Sequence, residues 1–128
     1  MNSRYDKNES QENYLEAILR ITAEKGYCRS VDIADRLMVA KPSVSTAMRK
    51  LLEKELIAMD TSKFIRLTEA GRRIAEEIYG RHSYFKKCLI AAGVDEAVAE
   101  EEACALEHAI SEDSFRKLVR LSGLQAEG

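Results

Sequence analysis

Proline occurs once in this 128-residue chain and glycine six times. That scarcity of breakers is the balance of a helix-rich globular protein, with disorder confined to the ends. No stretch approaches the roughly 20 apolar residues that span a bilayer, and the opening MNSRYDKNESQ lacks the apolar core of a secretion signal. A cytoplasmic protein with no membrane partner is expected. The three cysteines, Cys28, Cys88 and Cys104, are odd in number and never spaced CxxC, which excludes a disulfide framework and a zinc ribbon. Internal repeats and low-complexity segments are also missing.

What is present is 45% hydrophobic and 33% charged, enough to bury a core without covalent staples but too short for a second large domain. The formal net charge of −2 argues against indiscriminate nucleic-acid binding, yet it is unevenly spread. Residues 1–66 carry 12 Lys/Arg against 10 Asp/Glu, and residues 67–128 carry 8 against 12. Local clustering matters more for DNA than the global sum.

Ser10 reads as the cap of a helix running to about Lys25, with Tyr14, Leu15, Ile18 and Ile21 as its apolar stripe. A short helix after Ser30 turns Val31, Ile33, Ala34 and Leu37 inward, and Met38-Val39-Ala40 makes a turn. A third helix begins at Pro42, whose fixed φ suits the first helical position, and buries Val44, Ala47, Met48, Leu51 and Leu52. Leu56–Met59 and Phe64–Leu67 form a hairpin across Asp60–Lys63. Thr68 caps a long helix from Glu69 to about Ala91 with Ile74, Ile78, His82, Phe85 and Leu89 on one side. Asp95 caps a helix from Glu96 to Ile110, and Ser111 starts a last one through Leu121. The tail Leu124–Gly128 is expected to fray.

Two short helices joined by a tight turn, with a hairpin behind the second, are the layout of a winged helix-turn-helix that sets its second helix in the major groove. Opposite the apolar stripe of that helix stand Lys41, Pro42, Ser43, Ser45, Thr46, Arg49 and Lys50, supplying hydroxyls for bases or phosphates and cations for the backbone. Lys63 and Arg66 are candidate phosphate contacts in the wing. The competing interpretation is a protein-interaction module with an ordinary solvated helix face.

Cys104, Glu107 and His108 fall on one side of an ideal helix and together offer a thiolate, a carboxylate and an imidazole. His82 lies inside an apolar stripe, where an imidazole needs a polar partner; alone it reads as a core histidine, and beside the C-x-x-E-H cluster as a ligand. Asn13 and Glu16, one turn apart on the first helix, could add an amide oxygen and a carboxylate. An ion held in this way would couple the DNA-binding module to the helical half.

The segments QENYLEAI, EKGYCRSVDIADRL, KPSVSTAMRKLLEKELI, LTEAGRRIAEEI, GRHSYFKKCLIAAGVDE and EEACALEHAIS resemble, in order, the motifs of the metal-dependent repressors that include the diphtheria toxin repressor and the manganese transport regulator. The resemblance implies a mainly α fold, with a winged helix-turn-helix over residues 1–70 and a helical dimerisation and metal-binding domain over 71–128. It implies repression of metal-uptake genes from a palindromic operator, by a homodimer loaded with Mn(II) or Fe(II); Zn(II) and Co(II) could also occupy the site. The implied ligand positions are Asn13, Glu16, His82, Cys104, Glu107 and His108.

The manganese branch has aspartate at the position of Asn13 and glutamate at that of Cys104. The iron branch shares C-x-x-E-H but has methionine and arginine at the positions of Asn13 and Glu16. It also has ancillary ligands, glutamate and histidine, where this chain has Lys86 and Glu100, so a second site is absent or altered. The number of apolar residues on the last helices, among them Leu89, Ile90, Val94, Val98, Leu106, Ile110, Phe115, Leu118 and Val119, also points to a dimer. Two alternatives stand beside the repressor: a small metal-dependent hydrolase with Glu107 as base, for which no substrate-cradling glycine loop or second acid–base pair is found, and a metal-independent winged-helix module with a decayed site. An enzyme acting on a small organic substrate is not expected.

Overall fold

The computed structural model describes residues 6–123, with side chains from Ser10 onward. The tail Leu124–Gly128 lies outside the described residues. The elements run α1 (Asp6–Lys25), α2 (Ser30–Leu37), α3 (Lys41–Glu53), β1 (Ile57–Met59), β2 (Ile65–Leu67), α4 (Glu69–Ala91), α5 (Glu96–Leu106) and α6 (Glu112–Ser122). One compact unit is residues 10–76, and the other holds the residues before Ser10 and those from Glu77 on, so α1 and α4 each contribute to both.

The unit of residues 10–76 is built on one core. Tyr14, Leu15, Ile18 and Ile21 of α1 pack with Ile33, Val44, Met48, Leu51, Ile57 and Ile65, each fully buried aliphatic chain contributing about 1.5–3 kcal/mol of transfer free energy. Helix α1 starts at Asp6, so Ser10 lies inside it rather than at its cap; nothing in Lys7-Asn8-Glu9 opposes the helical backbone. Ser30 is likewise the first residue of α2 and not its cap, which is Arg29. The Asp32 carboxylate accepts the Arg29 backbone N–H at 2.9 Å and binds Lys25 Nζ at 2.7 Å. Val31 is exposed, because an eight-residue helix turns only one narrow face inward, and Ile33 and Ala34 fill it. Met38 ends α2 in the left-handed region at φ 56°.

Helix α3 begins at Lys41, one residue ahead of Pro42, and buries Val44, Met48 and Leu51 while Leu52 stays exposed. The hairpin pairs Ile57 with Leu67, Ala58 with Arg66 and Met59 with Ile65. The cross-strand bonds continue one pair beyond each end of the assigned strands, with Thr68 N–H donating to the Leu56 carbonyl and Asp60 N–H to the Phe64 carbonyl, both at 3.1 Å, while the Asp60 carboxylate accepts the N–H groups of Ser62 and Phe64 in the turn. The Ile65 N–H reaches instead to the Cys28 carbonyl at 2.8 Å, tying the wing to the segment before α2. Thr68 Oγ1 accepts the Gly71 N–H at 3.2 Å and so caps α4. A Cβ at Gly71 would collide with the Leu56 carbonyl, so only glycine lets α4 start this close to the wing.

In the unit of residues 77–123, Tyr84 and Phe85 of α4 meet Phe115 of α6 with ring centroids 5.3 and 5.8 Å apart. Phe115 is therefore interior and cannot serve a dimer face. Ile90, Val98, Leu106 and Leu118 remain exposed. Asp95 caps α5 through the Ala97 N–H, and Ser111 caps α6 through the Ser114 N–H. Helix α5 stops at Leu106, short of the Ile110 that its composition suggests. Buried Arg81 donates to the Glu107 carbonyl at 3.1 Å and to the Glu112 carboxylate at 3.0 Å, and this cation recruits a carbonyl that a continuing helix would have used internally. Among the described residues no helix is long and apolar enough to cross a membrane.

Candidate metal centre and nucleic-acid interface

His82 is 2% exposed, held on α4 among α5 residues that present acids and a thiol. Its Nδ1 lies 3.0 Å from Glu107 Oε1 and 3.7 Å from Cys104 Sγ. Its Nε2 lies 3.1 Å from Glu100 Oε1. Tyr79 stacks nearly parallel to the imidazole, one turn earlier. Glu107 is completely buried, and its Oε2 is 3.1 Å from His108 Nε2.

These contacts raise the His82 pKa from 6.5 to about 10, the bond to Cys104 first and that to Glu107 next, against the opposing cost of burial. With a proton on each ring nitrogen, His82 donates to Glu107 and to Glu100 at once. The Glu100 carboxyl is made more acidic: burial pushes it up, but Lys86 and His82 together outweigh that.

Cys104, Glu107 and His108 do not form a fan on one helix, because α5 ends at Leu106; Glu107 is its C-cap and His108 lies in the turn beyond. The structure brings together His82, Glu100 and Cys104, whose donor atoms lie within 4.8 Å of one another, and sets Glu107 and His108 beside them through the bonds above. Glu100, which stands at an ancillary ligand position of the iron branch but was not among the implied ligands, is a member of the cluster; a further signal was its position one turn before Cys104. Arg81, which fixes the Glu107 backbone, carries no mark in the sequence at all. Asn13 and Glu16 belong to α1 in the other unit, Glu16 being 5% exposed and paired with Arg20 at 3.4 Å.

Two imidazoles, two carboxylates and a thiol are a donor set for one divalent transition ion. They match a borderline or soft ion better than a hard one that prefers oxygen alone. The donors thus fit a divalent transition ion.

In the unit of residues 10–76, Lys41, Pro42, Ser43, Ser45, Thr46, Arg49 and Lys50 are all exposed along α3, opposite Val44, Met48 and Leu51. Lys63 and Arg66 are exposed on the wing. Lys63 adopts φ 70° at the hairpin turn, and Arg66 faces away from the buried side occupied by Ile65. A cationic, hydroxyl-bearing helix beside a basic hairpin is the surface a winged helix-turn-helix turns to DNA.

Residues 7–63 match the model described as "Iron dependent repressor, N-terminal DNA binding domain", and residues 68–124 match "Iron dependent repressor, metal binding and dimerisation domain". The chain belongs to the iron-dependent repressor family. It is 32% identical over 120 residues to the transcriptional regulator MntR of Escherichia coli O6:H1, covering 91% of this chain and 77% of that protein. Among solved structures, IdeR of T. acidophilum superposes with a TM-score of 0.77 at 26% identity, over 88% of this chain and 54% of that one. ScaR with bound Zn2+ superposes with a TM-score of 0.73 at 28% identity, over 88% and 53%. The chain thus spans about half the length of those two solved proteins. Membership makes it a DNA-binding, metal-binding and dimerising transcriptional regulator, not an enzyme.

Proposed function

We propose that this regulator is a cytoplasmic repressor of metal-uptake or metal-homeostasis genes, which grips a pseudo-palindromic operator as a homodimer when a divalent transition ion is bound. The observation that carries this reading is the cluster of buried His82 and Glu107 with half-buried Glu100 and exposed Cys104, in the half of the chain that matches a metal-binding domain. Mn(II) or Fe(II) is the activating ion on this reading, the iron in keeping with the family's description, and Zn(II) or Co(II) would occupy the site in vitro. The thiol of Cys104 favours Fe(II) over a paired manganese site, since a thiolate bridges two hard ions poorly.

His82, Cys104, Glu107 and His108 are assigned as ligands, joined by Glu100, whose carboxylate lies beside His82 and Cys104, with Asn13 and Glu16 supplied from α1. Support for the last two is the resemblance of the QENYLEAI segment and a Glu16 carboxylate that is almost fully buried. When bound, the ion supplies a double positive charge that offsets the carboxylates and replaces the proton of His82. Glu107, immobilised through its backbone by Arg81 and flanked by both histidines, orients the donors. Residues 1–70 form the DNA-binding domain and 71–128 the dimerisation and metal domain in this proposal. Lys41, Pro42, Ser43, Ser45, Thr46, Arg49, Lys50, Lys63 and Arg66 meet the operator, and exposed apolar residues that include Ile90, Val98, Leu106 and Leu118 are available to the dimer.

The test is operator affinity of the metal-stripped protein with and without each ion. Activation by Fe(II) or Mn(II) that is lost in Glu107→Gln and His108→Ala supports the reading. Equal affinity in the presence and absence of every ion sinks the switch while sparing the DNA-binding module.

A further inference from the structure

The cluster that would hold the ion already contains a cation of its own. His82 and Lys86 lie one turn apart on α4, and Glu96, Glu100 and Cys104 repeat at the same spacing on α5, so two rows of side chains meet. Lys86 Nζ binds Glu100 Oε1 at 2.9 Å, the same oxygen that His82 Nε2 reaches at 3.1 Å. Lys86 is also 3.8 Å from Glu96 Oε2. A single carboxylate oxygen therefore serves the imidazole and the ammonium together. Both members of the Lys86–Glu100 pair are only partly exposed, at 29% and 38%, so solvent screens their attraction incompletely.

An ion drawing on Glu100 has to share that oxygen with Lys86 or displace it, and the ammonium also repels any divalent charge brought alongside. Glu96, at 79% exposure, offers Lys86 a solvated carboxylate to turn to. We infer that Lys86 is a tethered competitor for the Glu100 carboxylate, a positioning residue that sets the free-ion concentration at which the centre fills. The inference rests on the metal reading proposed above and concerns the tuning of that site.

The experiment is a titration of the metal-stripped full chain with Zn(II) alone against a chromophoric chelator, for wild type, Lys86→Met, Lys86→Arg and His82→Ala. Lys86→Met should bind the ion roughly tenfold more tightly than wild type, the scale of one partly screened charge pair. Lys86→Arg, which keeps the charge, should stay close to wild type. A Lys86→Met protein that binds no more tightly than wild type overturns the inference, as does a Lys86→Arg protein that tightens as much as Lys86→Met. His82→Ala separates the two claims. If it retains wild-type ion binding, the metal reading itself fails; if it loses the ion while Lys86→Met is unchanged, only the competitor role fails.

Discussion

Removing the ion should leave a protein in which His82 makes a pH-dependent contribution to stability. His82 is 3% exposed at its side chain and lies between Glu107 and Glu100, and its pKa rises from 6.5 to about 10, chiefly through Cys104 and then Glu107. Because the folded value lies above the unfolded one, the stabilisation is fully present below pH 6.5 and is lost progressively as pH rises through about 10. At about 1.4 kcal/mol for each tenfold change in proton affinity, the full contribution is on the order of 3–5 kcal/mol. The assay is urea unfolding of chelator-stripped protein across that pH range, for wild type and for His82→Gln. The difference between the two isolates His82 from the lysines, tyrosines and other cysteines that titrate in the same range. It should be greatest at the acidic end and shrink steadily toward pH 10. A difference that stays flat with pH would refute the reasoning, since the imidazole would then be folded in its neutral form.

Three further outcomes follow from the same geometry. Zn(II) titrated into the stripped protein near neutral pH should release at least the His82 proton, seen as a dependence of the apparent binding heat on buffer ionisation enthalpy; identical heats in all buffers would contradict a protonated His82. Phe115→Ala should cost about 3–5 kcal/mol in urea unfolding, because the ring is buried between Tyr84 and Phe85. Arg49→Ala should weaken operator binding even at saturating ion and reduce the slope of log affinity against log salt by about one if the residue meets a phosphate, whereas an unchanged slope removes Arg49 from the backbone contacts.

Much of the architecture was legible because it is local. The span of α4 from Glu69 to Ala91 follows from an uninterrupted helical period with Thr68 at its start and Gly93 beyond its end. The polar face of α3 is visible as hydroxyls and cations set against Val44, Met48 and Leu51, since side-chain direction on a helix depends on spacing alone. Where local signals misled, a distant group had intervened. Ile110 has no intrinsic reason to leave α5, but the buried guanidinium of Arg81 claims the Glu107 carbonyl. Phe115 sits in an amphipathic helix like its neighbours Leu118 and Val119, yet two rings from α4 enclose it while Leu118 stays exposed.

By itself the sequence determined a helix-rich chain with a hairpin, the identity of the exposed cationic helix, and the presence of a thiol, carboxylates and imidazoles suited to a transition ion. These are matters of residue type and of spacing along one element. Only the tertiary structure decided that Glu100 joins His82 and Cys104, that Glu107 is buried at a helix end rather than aligned on its face, and that Lys86 shares a carboxylate oxygen with His82. Those facts depend on which turns of α4 meet α5, where His82 and Lys86 reach Glu100, His82 reaches Cys104 and Glu107, and Arg81 holds the Glu107 carbonyl, and on the packing of Tyr84 and Phe85 against Phe115 of α6, contacts between residues too far apart in the chain for any period or spacing to reveal.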